Sequence, residues 1–243
     1  NPSRTSALLI VDVQNDFISG SLALKHCPAC EDGYDVVNVI NGILNHRHFD
    51  HIVYTLDWHP QNHCSFIDNV HLYAVHESSP VAAQDAKVFD TVVYSEPVVV
   101  KQKLWPVHCV QDSWGAELHK ELRAPEKEDH LCKKGYQPYI DSYSAFWSSG
   151  HFCHTDLFKI LLKKGVTDVY ICGLAIDYCV KFTARDAAQH GFNVYVVEDA
   201  CRSISHEGCC QAKAEFKKDG VILLDSTEVR FMNDTRVLIF RKA

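Results

Sequence analysis

No stretch of this chain approaches the roughly 18 consecutive apolar residues of a membrane-crossing helix, although 47% of its 243 residues are hydrophobic. It also lacks a stripe of Lys and Arg with interleaved aromatics, and its formal net charge is −7. A nucleic-acid binder is more often basic. Neither a membrane nor a nucleic acid is therefore an expected partner, and the acidic balance mainly serves solubility. There is no internal repeat, low-complexity tract or linker. The opening residues Asn1-Pro2-Ser3-Arg4 show none of the charged, apolar and small-residue zones of a secretory signal.

Cysteine, by contrast, is plentiful. The eleven cysteines are odd in number and irregularly spaced. A chain of this length buries roughly three quarters of its unfolded surface and needs no disulfides to fold. Reduced thiols are the expectation, in a cytoplasmic protein (the nucleus is also open) and not a secreted one.

Near-continuous apolar runs mark strands buried on both faces. They are Ala7–Val13, His51–Leu56, Val169–Gly173, Asn193–Val197, Val221–Leu224 and Arg236–Phe240, with a shorter one near Asp129–Cys132. Helical periodicity covers Tyr34–Asn45, Thr155–Lys164, Asp177–His190 and Ser205–Asp219. The alternation predicts one α/β domain over residues 1–243, a doubly wound, mostly parallel sheet in a three-layer α/β/α arrangement. Residues of about 60–104 form a long irregular insertion, and loops of that length are usually functional.

The richest segment is Ile171-Cys-Gly-Leu-Ala-Ile-Asp-Tyr-Cys179-Val. An apolar run reaches a Gly, and a cysteine follows at the start of a helical pattern. Cys179 is thereby placed at the carboxyl end of a buried strand, where chemistry collects in open α/β sheets. Helix N–H groups there favour a thiolate. Asp12 closes the first apolar run, and burial suits it as a proton acceptor; a capping or turn Asp is the competing reading, and Asp16 is the obvious cap. Asp57 and His59, two apart in extended chain, point the same way. With His63 and His108 nearby in sequence order, they offer a three-ligand site with positions open for water or substrate. The denser His46, His48 and His51 group looks like an exposed helix end. Lys134 closes a short strand before Gly135 and could lie beside Asp12, whereas alternation sends Lys133 to the other face. Cys27-Pro-Ala-Cys30 lies in a Gly- and Pro-marked loop with no second pair, which favours two loop thiols over a zinc or redox motif.

Six segments combine: VDVQNDF around Asp12, DWHPQNHCSF from Asp57, LWPVHCVQDSWGAEL around His108, KKG at Lys134, YSAF at Tyr143–Phe146, and CGLAIDYCVKFTARDA around Cys179. Together, over nearly the whole chain, they resemble the nicotinamidases of the isochorismatase-like cysteine hydrolase superfamily, most of all the eukaryotic ones. The resemblance implies a catalytic triad of Asp12, Lys134 and Cys179. It implies a metal, usually zinc, on Asp57, His59 and His108; His63 matches a ligand in some bacterial relatives only. Phe17 and Trp105 match residues that sandwich a pyridine ring. Leu174–Ala175 matches a cis peptide bond that turns the Ala175 N–H toward the substrate carbonyl. The implied reaction converts nicotinamide to nicotinic acid and ammonia through a thioester, within NAD salvage, with pyrazinamide as a second substrate. The metal either anchors the ring or activates a water. A homo-oligomer is left open. Isochorismatase itself needs no metal, so the Asp57, His59 and His108 set argues against that activity. Other small amides, and a non-catalytic member of the fold, are the rival readings.

Overall fold

The structure is a computed structural model, and it describes residues 4–229. In chain order its elements are β1 (Ser6–Val11), α1 (Asn15–Ile18), α2 (Asp35–His46), β2 (His51–Asp57), β3 (Thr91–Tyr94), β4 (Val100–Lys103), β5 (His130–Lys134), α3 (Leu157–Lys163), β6 (Asp168–Leu174), α4 (Lys181–Gln189), β7 (Asn193–Arg202), α5 (His206–Lys218), β8 (Ile222–Leu224) and α6 (Ser226–Val229). The expected strand Arg236–Phe240 lies outside the described residues.

Six strands form one sheet in the order β5-β2-β1-β6-β7-β8, every neighbouring pair parallel. All six residues of β1 are buried. Alternation sends Leu8 and Ile10 to one face and Ala7, Leu9 and Val11 to the other. The first face packs under α2 through Val36, Val37, Ile40 and Ile43. The second packs under Leu157 and Leu161 of α3, Ala184 and Ala187 of α4, and Ala212 and Phe216 of α5. Burial on both faces explains why these strands read as unbroken apolar runs, and the result is the three-layer α/β/α arrangement.

Counted along the chain, the sheet order is the doubly wound 3-2-1-4-5-6 type, which reverses direction between β1 and β6. Ligands of such sheets bind in the crevice at the carboxyl ends of the strands flanking that reversal. Asp12 follows β1, and Cys179 lies just beyond β6.

Several local features differ from the sequence expectations. β1 stops at Val11, because Asp12 adopts φ 50° and turns the chain out of the sheet; Asp tolerates that region better than most residues. β7 continues to Arg202, carried past Val197 by an irregularity in its register with β6. The helix after β6 opens with a π turn over Ile176–Val180 before α4. The insertion is only partly irregular. Its β3 and β4 form an antiparallel hairpin, and Cys64, Val70, Val92, Tyr94 and Leu104 give it a small core of its own. No helix among the described residues is long and apolar enough to cross a membrane.

Candidate active site

Four strand ends deliver the chemistry. β1 leads to Asp12, β2 ends at Asp57, β5 at Lys134, and β6 leads to Ala175 and Cys179. Asp57 and Lys134 are direct partners in the β2–β5 register. Lys134 is fully buried. Its Nζ lies 2.8 Å from Asp12 Oδ2, forms a close ion pair with Asp57, donates to the Ser142 carbonyl at 3.0 Å, and sits 3.3 Å from Cys179 Sγ. Asp12 Oδ1 also accepts the Thr55 hydroxyl, and the Asp12 N–H contacts Thr55 Oγ1 at 3.2 Å. The three groups expected as a triad are therefore brought together, and Lys134 additionally joins them to Asp57.

Burial decides the protonation tendencies here. It opposes a charge on Lys134, but Asp12 and Asp57 outweigh it and hold the ammonium well above its ordinary pKa. Burial raises the Asp57 carboxyl as well, yet Lys134 and His59 win and hold it below the usual carboxylate range. For Asp12 burial prevails, and its pKa is raised despite Lys134. Burial also pushes the Cys179 thiol well above its ordinary value, with Lys134 only partly compensating. This corrects the expectation of a thiolate stabilised by helix N–H groups. Cys179 is only 6% exposed, and the low dielectric around it outweighs the N–H groups of the π turn that precedes α4.

Asp57, His59 and His108 present ligand atoms within 4.8 Å of one another. His59 Nε2 is 3.5 Å and His108 Nε2 3.9 Å from Asp57 Oδ2. His59 Nδ1–H donates to the Gly135 carbonyl at 2.8 Å, and His108 Nδ1–H to the Pro106 carbonyl at 2.7 Å. Those bonds fix the tautomers that aim both Nε2 lone pairs inward, the usual support for a metal-bound imidazole. Burial, aided by His59, lowers the His108 pKa to about 4 and keeps it a neutral ligand. Burial opposes a charge on His59, but Asp57 outweighs it and draws the His59 pKa upward, so a metal bound there would displace a proton from that ring. One carboxylate and two imidazoles fit a divalent transition metal.

The backbone holds this set in place. The Gln14 amide donates to the Asp57 carbonyl at 2.8 Å, and its oxygen accepts the Asp57 N–H at 2.9 Å. The His59 N–H donates to Cys109 O, and the Gln111 N–H to His59 O, which zips the His108 loop to the end of β2. Asp16, expected to cap a helix, instead accepts the Cys109 N–H at 2.7 Å and the Ser21 N–H at 3.1 Å. His63 stacks on His59 with ring centroids 4.0 Å apart. Its Nδ1 contacts Ser65 Oγ at 2.7 Å, and its Nε2 lies 4.0 Å from Asp141. It thus stands beside the three-residue set, grouped with His59 and Asp141.

A small, partly open cavity lies over these groups, lined by Phe17, Trp105, His108, Ala175, Tyr178 and Cys179 among others. Leu174 does not line it: the side chain is 1% exposed and packs into the core, and only the backbone of the cis Leu174–Ala175 bond belongs to the site edge. Further lining residues escaped the sequence reading, namely Leu22, Asp141, Tyr143, Tyr178 and Ile204. Tyr143 and Tyr178 lie inside segments already singled out, but an aromatic in an apolar segment reads as core. Ile204 carries no sequence signal. It is held by Asp177, whose carboxylate accepts the Ile204 and Ser205 N–H groups at 2.9 and 3.0 Å. Cys27 and Cys30 close a turn away from these groups, and both are free thiols. Lys133 lies over the Trp58 ring at 3.6 Å, on the opposite face from Lys134.

The isochorismatase domain profile matches residues 6–228. This chain belongs to the isochorismatase family. Within that family it is 39% identical to the nicotinamidase of Acinetobacter baylyi, over 93% of this chain and 95% of the relative. It is 34% identical to the nicotinamidase of Saccharomyces cerevisiae, over 90% and 98%. The structure of the yeast nicotinamidase superposes with a TM-score of 0.79 at 34% identity, covering 91% of this chain and all of that one. PnC1 of L. infantum in complex with nicotinate gives 0.72 at 33%, covering 92% and 93%. The pyrazinamidase of Pyrococcus horikoshii in complex with zinc gives 0.67 at 32%, covering 90% and 98%.

Proposed function

We propose that this isochorismatase-family protein is a nicotinamidase, hydrolysing nicotinamide to nicotinic acid and ammonia through a thioester on Cys179. The observation that carries the reading is Lys134 Nζ, 2.8 Å from Asp12 and 3.3 Å from Cys179, where Cys179 shares a cavity with Asp57 and His108 of the three-residue donor set. The nicotinamidase relatives and the nicotinate-bound neighbour supply the substrate class.

Phe17 and Trp105 hold the pyridine ring, and the carboxamide carbon faces Cys179. Asp12, its pKa raised by burial, takes the thiol proton as Sγ attacks that carbon. The N–H groups of Ala175 and Cys179 receive the developing oxyanion, each donor worth roughly 3 kcal/mol in such sites. The intermediate collapses, the C–N bond breaks, and Asp12 returns its proton to the departing ammonia. A water then gives a proton to Asp12 as its oxygen attacks the thioester, releasing nicotinic acid and the Cys179 thiol. Lys134 keeps its proton throughout and offsets the negative charge that passes between Cys179 and Asp12. Asp57, His59 and His108 would hold a divalent metal, zinc in the Pyrococcus neighbour, which when bound supplies a Lewis acid for the ring nitrogen or for water. Pyrazinamide, a ring carboxamide of the same size, fits the same cavity. The nicotinic acid formed would feed NAD salvage.

The test is ammonia release from nicotinamide by purified protein, before and after chelation. The expected result is turnover lost on chelation, restored by zinc and abolished in Cys179→Ala. A folded, zinc-loaded wild type that releases no ammonia would overturn the reading.

A further inference from the structure

Among the described residues the Tyr143 hydroxyl has two hydrogen-bond neighbours, and neither can accept its proton. Trp105 Nε1–H donates to it at 3.1 Å. An indole nitrogen is a donor only. The second neighbour is Gln102 Nε2 at 3.3 Å. That atom also contacts the Lys103 carbonyl at 2.7 Å and Asp141 Oδ2 at 3.0 Å. A carbonyl and a carboxylate only accept, so the nitrogen end of the Gln102 amide is the one in place, and it has nothing to offer a phenol proton. The ring of Tyr143 lines the catalytic cavity together with Trp105, Tyr178 and Cys179. Burial drives its pKa well above the ordinary value, so the proton stays on the oxygen. Phe182 stacks on the ring with centroids 5.4 Å apart, and Tyr178 contacts it at 5.4 Å, which restricts its orientation.

Tyr143 is half-buried at the cavity wall, and its hydroxyl proton has no acceptor among the described residues to compete with a ligand. Sites with such donors discriminate for ligands that satisfy them. We propose that the Tyr143 hydroxyl donates a hydrogen bond to an acceptor atom of the bound carboxamide substrate, making it a specificity-determining residue of this site. The inference rests on the proposed reaction and adds to it a polar contact. The acceptor is a lone pair on the carboxamide oxygen or on the ring nitrogen. A substrate offering neither leaves the O–H unsatisfied.

Tyr143→Phe removes the oxygen alone, but it also deprives Trp105 of its acceptor. The test is therefore a double-mutant cycle with Trp105→Phe, reading kcat and KM for ammonia release from nicotinamide and from benzamide, which lacks the ring nitrogen. Tyr143→Phe is expected to lower kcat/KM for nicotinamide about 3- to 10-fold, the range for one neutral hydrogen bond. The loss should be as large in the Trp105→Phe background. A loss shared by benzamide identifies the carboxamide oxygen as acceptor, and a loss confined to nicotinamide identifies the ring nitrogen. An effect that vanishes in the Trp105→Phe background means that Tyr143 only holds Trp105, and overturns the inference. So does a Tyr143→Phe enzyme within twofold of wild type. A folded, zinc-loaded wild type inactive on both amides overturns the proposed function, and this inference falls with it.

Discussion

Lys134 and Asp57 stand opposite each other in register on β5 and β2, and their side chains pair where the candidate metal donor set meets the expected triad. The same ammonium reaches Asp12 just after β1 and the sulfur of Cys179 beyond β6. One buried cation thus compensates two buried carboxylates from neighbouring strands. Lys134→Met should leave Asp12 and Asp57 facing each other unpaired. Breaking a buried ion pair from one side costs roughly 3–5 kcal/mol. Equilibrium denaturation of the variant should show a loss in that range, together with loss of turnover. A Lys134→Met protein as stable as wild type would mean that the two carboxylates are not both ionised in the fold.

Asp16 supports His108 from a distance. Its carboxylate accepts the N–H of Cys109, a residue held at φ 46°, immediately after His108. Gly115 lets the carboxylate in, since a Cβ there would lie 2.0 Å from Asp16 Oδ2. Asp16→Ala should free the loop and weaken zinc binding about 10- to 100-fold, as loss of supporting hydrogen bonds does at other metal sites. Competition with a chromogenic chelator reads this directly. Wild-type affinity in the variant would show that the zipper between His59 and Gln111 holds His108 by itself.

The sheet and the candidate site are legible because burial on both faces writes unbroken apolar runs, and the polar residues at their ends stand out. Asp57 and Lys134 end strands, Asp12 directly follows one, and Cys179 lies in the turn beyond another. What stayed hidden depends on tertiary packing. The β3–β4 hairpin is short, and its partly buried strands resemble loop. Ile204 reaches the cavity only because Asp177 ties its backbone there. The electrostatics of Cys179 are hidden for a related reason: a sequence shows a helix start beside the cysteine but not how deeply the thiol is buried.

The burial of Cys179 gives its alkylation a pH dependence of definite sign. A thiol whose pKa is raised by burial stays protonated at neutral pH, and only the thiolate is alkylated. In the free enzyme, modification of Cys179 by iodoacetamide should therefore climb steadily from pH 7 to pH 9 without levelling off. Peptide mass spectrometry separates it from the exposed Cys30 and Cys210. A plateau below about pH 8 would show that Lys134 and the turn N–H groups outweigh desolvation after all.

Gly135 follows Lys134 at φ 64°, and its carbonyl accepts the Nδ1–H that orients His59. An added Cβ would lie 2.5 Å from His59 Cε1 and 2.7 Å from Nδ1, closer than side chains tolerate. Gly135→Ala therefore meets two obstacles, the left-handed backbone, costing about 1 kcal/mol for a residue with a Cβ, and a ring that must swing away from Asp57. Only the second reaches the metal donor set. The expected variant is folded, slightly less stable, and markedly poorer in zinc at equal zinc concentration, with turnover partly recovered at excess zinc. Gly42→Ala is the matched control. It lies inside α2 with nothing within 4 Å of the added Cβ, so the same chemical change should raise stability by about 0.5–1 kcal/mol and leave zinc content alone. If Gly135→Ala binds zinc as wild type does, the ring moves without cost, and the Gly135 carbonyl is not what sets the His59 tautomer.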